Sequence, residues 1–141
     1  MTNTPPPGTP VRNDAELFEV WQSLMGPGGF GVRSIWVIFL DADQRTLPVV
    51  VPIDDRPAEP DRLLVGNLAK IVGGLIQSGD AASAALLLSR PGPSHMLDPD
   101  RRWARVLHDA LGTELSRWPI HLATQDRIQV FAPDDLIAVP A

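Results

Sequence analysis

Two continuously apolar segments constrain the fold of this 141-residue chain most strongly. Residues 34–40 read Ser-Ile-Trp-Val-Ile-Phe-Leu, and residues 84–88 read Ala-Ala-Leu-Leu-Leu. A strand with one face in water alternates apolar and polar residues, whereas runs that are apolar at nearly every position are typical of strands buried on both faces. The sequence therefore predicts a central β-sheet that other elements cover.

Three helices are predicted where a capping residue precedes apolar residues at helical spacing. The predicted helices span residues 14–25, 62–78 and 99–111. Asn13, Asp61 and Asp98 are the expected N-caps, since their side-chain oxygens can accept hydrogen bonds from the first free backbone N–H groups. Gly79 and Gly112 are placed to end the second and third helices.

Three further strands complete the predicted order of elements. Residues 47–53 form a strand that pairs with 34–40 through the turn 41–45, and Pro48 and Pro52 place this strand at a sheet edge because proline lacks an N–H. Strands are also expected at 118–124 and 127–132. The order α-β-β-α-β-α-β-β predicts an α/β sandwich with a mixed sheet.

The ends of the chain differ in composition from its middle. Residues 1–12 are rich in proline and predict a disordered tail, because they offer little apolar surface to bury. Residues 13–132 are predicted to form a single α/β domain, and residues 133–141 an irregular C-terminal segment.

Charge and composition exclude several classes of function. The chain has 17 acidic against 12 basic residues, a net charge of −5 that makes a nucleic-acid partner unexpected. It has no cysteine, which excludes thiol catalysis and cysteine-ligated metals. The longest apolar run, residues 35–40, is too short to cross a membrane, and the N-terminus does not resemble a signal peptide. We therefore expect a soluble, cytoplasmic protein without a membrane partner.

The loop after strand 84–88 contains the first candidate ligand-binding residues. Ligands in open α/β sheets collect beyond the carboxyl ends of the strands, where this loop leads into the third helix. The candidates are Arg90, Ser94, His95, Asp98 and Arg101. Arginines beside a helix N-terminus could bind an anion or a nucleotide. The alternative interpretation is structural, with Asp98 as an ordinary cap and His95 as a solvated loop residue.

No metal site is expected, because no complete set of ligands is visible in the sequence. If a metal were bound, its ligands would be His95, Asp98 and His121. Three protein ligands are the minimum for a catalytic zinc site, so these side chains would have to meet in space. His121 alternates with Ile120 and Leu122 and should point to the opposite face of the sheet from them.

The pattern over residues 34–132 resembles the JAB/MPN family of metal-dependent isopeptidases, in particular its bacterial RadC-like branch. Residues 38–45 (Ile-Phe-Leu-Asp-Ala-Asp-Gln-Arg) look like the first hairpin of that family, and helix 62–78 looks like its central helix. Residues 84–91 (Ala-Ala-Leu-Leu-Leu-Ser-Arg-Pro) look like the strand that enters its His-x-His-Pro metal loop. The related cytidine-deaminase-like fold is the alternative architecture.

The catalytic signature of that family is missing. Of the metal loop only Pro91 matches, since the histidine positions fall on Leu88 and Arg90 and the later aspartate position falls on Arg101. His121 matches a histidine of the family's next strand. The resemblance therefore implies a metal-free, non-enzymatic member without a cofactor, which binds a protein partner or a second copy of itself. A metal-dependent hydrolase with displaced ligands and an anion- or nucleotide-binding domain are the alternatives.

Overall fold

The computed structural model describes residues 8–25, 31–115, 118–125 and 127–136. Their elements follow one another in the predicted order, with a short 3-10 helix, Pro133–Leu136, after the last strand. The helices are α1 (Asp14–Met25), α2 (Arg62–Gln77) and α3 (Asp98–Leu115). The strands are β1 (Ser34–Leu40), β2 (Thr46–Asp54), β3 (Ser83–Ser89), β4 (His121–Thr124) and β5 (Arg127–Val130).

The strands form one five-stranded mixed sheet in the order β2-β1-β3-β4-β5. β1 runs antiparallel to both of its neighbours, β3 and β4 are parallel, and β5 returns antiparallel to β4. The two apolar runs are thus neighbouring central strands, as their composition predicts. Because β2, β3 and β4 point the same way, their carboxyl ends meet at one end of the sheet.

Helices cover both faces of the sheet and divide the core in two. α2 and α3 pack on one face, against side chains such as Ile35, Leu86 and Leu122. α1 packs on the other face, where Leu17 and Trp21 meet the opposite side chains of the same strands. The protein is therefore a three-layer α/β sandwich. No helix in the described ranges has both the length and the apolar character that crossing a bilayer requires.

The edge strand β2 has a form that hinders pairing with another strand. Pro48 and Pro52 each remove an N–H donor from it, and its register against β1 shifts between the pairs Ile38↔Val50 and Leu40↔Thr46. Prolines and bulges at an edge disfavour the addition of a further strand. The predicted edge position of this strand is confirmed.

Part of the predicted tail is ordered. Residues 8–11 run along the β1–β2 turn, where the Gly8 N–H donates to the Thr46 carbonyl at 2.8 Å and the Val11 N–H to the Gln44 carbonyl at 2.7 Å. Val11 is fully buried beside α1. These backbone hydrogen bonds and the burial of Val11 together hold this stretch in place. Residues 1–7 lie outside the described residues.

Several predicted boundaries are also wrong. Gly112 does not end α3, which continues to Leu115 because that side chain is buried in the core. β4 begins at His121 instead of residue 118, since the Trp118 N–H donates to the carbonyl of Leu115 at the end of α3 and not to a neighbouring strand. β5 ends at Val130 instead of residue 132. Of the segment 133–141, residues 133–136 form the 3-10 helix and the remainder falls outside the described residues.

Candidate functional site

Ionic side chains are buried at the end of the sheet where the carboxyl ends of β2 and β3 meet. Among the described residues, the buried ionic side chains are Arg56, Arg90 and Asp100, all exposed by 5% or less. Arg56 follows β2, Arg90 follows β3, and Asp100 lies in the first turn of α3. Two guanidinium groups and one carboxylate are thus buried at this end of the sheet, and only Arg90 contacts the carboxylate directly.

Arg90 organises the loop that sequence analysis assigned to ligand binding. Its Nε and Nη2 atoms each donate to a carboxylate oxygen of Asp100 at 2.8 Å. Nη1 donates to the carbonyls of Pro91 and Pro93, and the second Nη2 hydrogen goes to the carbonyl of His95 at 3.0 Å. A guanidinium has five N–H groups, and all five of Arg90 are accounted for. Arg90 has no donor left for a ligand.

Asp100 joins this loop to the start of α3. Besides the two contacts from Arg90, its Oδ2 accepts the backbone N–H of Leu97 at 2.8 Å. A carboxylate that reaches back in this way satisfies one of the free N–H groups at a helix N-terminus. The predicted cap, Asp98, is instead the first residue of α3, and its exposed carboxylate pairs with Arg101 at 3.4 Å.

Arg56 is buried without a carboxylate in direct contact. Its Nε donates to the Ser34 carbonyl at 3.0 Å and its Nη2 to the Ser89 carbonyl at 3.2 Å. Its guanidinium lies over the ring of Trp103, 5.4 Å from the centroid, an arrangement that favours a cation. Burial lowers the pKa of Arg56 to about 10, so it keeps its charge at neutral pH.

Trp103 also fixes the loop that carries Arg56. Its Nε1 donates to the carbonyls of Pro57 and Ala58 at 3.0 and 3.1 Å. Arg56 is not among the residues predicted from the sequence, because it lies in a polar stretch between β2 and α2 with no motif around it. Its burial depends on α3, which follows much later in the chain.

The other predicted ligand residues do not converge on a common point. His95 is exposed, and its backbone carbonyl accepts a hydrogen bond from Arg90. The Ser94 carbonyl accepts a hydrogen bond from the side chain of Gln129 on β5. Arg101 pairs with Asp98 and with Asp135, each at 3.4 Å. The predicted cluster is therefore a network of internal contacts between the loop, α3 and the 3-10 helix.

The proposed displaced metal ligands are not brought together. His121 faces α1, where its ring lies 6.5 Å from that of Phe18, whereas Asp98 begins a helix on the opposite face of the sheet. Within the described ranges, no group of three His, Asp or Glu side chains is placed to hold a metal ion. The alternative set of His95, Asp98 and His121 therefore does not form such a group.

His121 lines a groove between the start of α1 and the edge strand β5. The groove has a volume of about 440 Å³ and includes Asp14, Phe18 and Arg127 in its wall. Only 3% of His121 is exposed, and its Nδ1 has no hydrogen-bond partner. Burial lowers the pKa of His121 to about 4, against the opposing effects of the Pro119 carbonyl and Asp14. The imidazole is therefore neutral at physiological pH.

Comparison with known proteins does not assign the chain to a family. No protein-family model matches it, and no curated protein is significantly similar to it.

Proposed function

We propose that this protein is a non-catalytic interaction domain of the α/β sandwich type, resembling a JAB/MPN domain that has lost its metal site, and that it binds a protein partner or a second copy of itself in the cytoplasm. The observation that carries the proposal is the closed network around Arg90. In the resembled family the loop before the matching proline holds a metal ion through two histidines. Here a guanidinium occupies that loop, bound by Asp100 and three backbone carbonyls.

The chemistry of this network supports a structural role. A guanidinium carries a permanent positive charge and offers hydrogen bonds in a fixed plane, but it cannot activate a water molecule as a metal ion does. With its five N–H groups bonded internally, Arg90 shapes the loop 91–97 through the backbone carbonyls of that loop. The loop surface is then available for contact with a partner.

The edges of the sheet limit how a partner could bind. The prolines and the shifted register of β2 disfavour addition of a partner strand. The opposite edge, β5, has only four residues, Arg127–Val130. We therefore expect contacts through side chains of the loops and helices instead of main-chain pairing.

Metal dependence separates this proposal from the hydrolase alternative. The protein is purified without added metal or chelator, its zinc content is measured, and its melting curve is recorded with zinc and with a chelator. We expect no stoichiometric zinc and no change in the melting midpoint. One bound zinc per chain would overturn the proposal. So would a melting midpoint that rises strongly with zinc, if His121→Gln reduces this rise and His108→Gln does not.

Self-association is measured on the same sample by analytical ultracentrifugation over a range of concentrations. A dimer with a defined dissociation constant supports binding to a second copy. If the protein is a monomer at all concentrations, the partner is a different protein. Cross-linking in native extract must then recover one protein reproducibly, attached at residues of the loop 91–97. Failure of both measurements contradicts the interaction role.

A further inference from the structure

A second cavity lies beside the buried arginines, at the end of the sheet where β1 begins and β2 ends. It has a volume of about 380 Å³, and its wall is formed by the segments 31–33 and 55–57 together with Pro91. Arg33 and Arg56 both line it. The cavity lies beyond the carboxyl ends of the strands, where α/β sheets commonly bind ligands.

The buried charges beside this cavity do not balance. Asp100 neutralises Arg90 through two hydrogen bonds of 2.8 Å. The direct contacts of Arg56 are the neutral carbonyls of Ser34 and Ser89. Asp100 attracts its charge from a greater distance but is already bound by Arg90. An ionic side chain exposed by only 2% is costly to bury unless an opposite charge lies close to it.

Arg33 adds a second positive charge to the same cavity. It is exposed, and no carboxylate of the described residues lies within ion-pair distance of it. Its backbone carbonyl accepts the Arg56 N–H at 3.0 Å, which keeps the two residues adjacent. The repulsion between the two arginines contributes to the low pKa of Arg56.

We propose that this cavity binds an oxyanion, the phosphate or carboxylate group of a small molecule, between Arg33 and Arg56. An oxyanion there would supply the negative charge that the buried cluster lacks and would accept charge-assisted hydrogen bonds from guanidinium groups. The site differs from the anion site expected from sequence, whose Arg90 and Arg101 are engaged by internal partners. It is independent of the interaction role, since it makes no use of a protein partner.

Asp55 provides an internal check on this proposal. It is the acidic residue in the wall of the cavity and is exposed, so its carboxylate should weaken the binding of an anion. The proposal therefore requires opposite effects from two neutralising substitutions. Arg33→Gln must weaken binding, and Asp55→Asn must strengthen it.

The test is a titration of the full chain with inorganic phosphate and, in a second arm, with acetate. Ionic strength is held constant with sodium chloride so that general screening does not change. Binding is followed by calorimetry and by the melting midpoint. We expect a saturable response, and the arm that saturates at lower concentration identifies phosphate or carboxylate as the preferred group.

The variants decide whether the response comes from this cavity. Arg33→Gln should raise the dissociation constant about tenfold or more, the loss typical of one charge-assisted hydrogen bond. Asp55→Asn should lower it. The matched control is Arg105→Gln, an exposed arginine of α3 whose carboxylate contact, Asp109, is 3.9 Å away. The control should bind as the wild type does.

Three results would overturn the proposal. The first is no saturable response to either anion. The second is unchanged binding in Arg33→Gln, and the third is an equal loss in Arg105→Gln, which would mean that net charge alone is responsible. Arg33 is exposed, so a folded variant is expected.

Discussion

Substitution of Asp100 by asparagine tests the buried network most directly. The carboxylate is 2% exposed and accepts three hydrogen bonds, two from Arg90 and one from the Leu97 N–H, each of 2.8 Å. A neutral amide cannot offset the charge of Arg90, which would then be buried without a counter-charge. Removal of one partner from a buried pair costs about 3–5 kcal/mol. We expect Asp100→Asn to lower the free energy of unfolding by that amount, a large part of the roughly 5–15 kcal/mol of a typical domain.

The free energy is measured by urea unfolding with two spectroscopic probes, so that two-state behaviour and the slope m are checked. Asp109→Asn is the control on the same helix, because its carboxylate is exposed and lies 3.9 Å from Arg105. It should change stability by no more than about 0.5 kcal/mol. The double variant Arg90→Met with Asp100→Leu should lose less than the sum of the single losses, since no charge is left alone. A loss below about 1 kcal/mol in Asp100→Asn, as for a surface pair, would refute the reasoning.

Three further perturbations follow from single contacts. His121 has a pKa of about 6.5 in the unfolded chain and of about 4 in the folded protein. The unfolded chain therefore binds this proton first, so the free energy of unfolding is highest above pH 6.5 and decreases as the pH falls to about 4. Urea unfolding of the wild type between these pH values should show a decrease of up to about 3 kcal/mol in the free energy of unfolding, and His121→Phe should lack this decrease. The same pH dependence in the wild type and in the variant would contradict this. Asp61→Ala removes the side chain that accepts hydrogen bonds from the N–H groups of Leu63 and Leu64, so it should lower the free energy of unfolding in urea by about 1 kcal/mol. No change would show that the cap is dispensable. Gly79→Ala places a side chain at a φ of 83° and should lower the melting midpoint by the equivalent of about 1 kcal/mol, whereas an unchanged midpoint would show that the turn adjusts.

The layered fold could be predicted because its signals are local. The apolar runs of β1 and β3, the cap at Asp61 and the glycine at 79 each depend on neighbours in the sequence, and the structure confirms the elements they define. Ends of elements were less predictable. Gly112 is a plausible stop on its own, but the burial of Leu115 one turn later prolongs the helix.

Of the buried charged residues, only Arg90 is among the candidates that the sequence predicts. That Arg90 binds Asp100 depends on how α3 packs against the end of β3. Arg56 had no local signal, because its burial requires Trp103 from α3 to cover it.

The charge that closes the loop 91–97 is part of the polypeptide. A loop built around a metal ion depends on the supply of that ion and can be emptied by a chelator, whereas Arg90 is present in one copy per chain from the moment of synthesis. Its carboxylate partner, however, lies on α3, so the closed loop requires the first turn of that helix to lie beside the end of β3. Cleavage of residues 91–97 by a protease during refolding would report when the docking of α3 is complete.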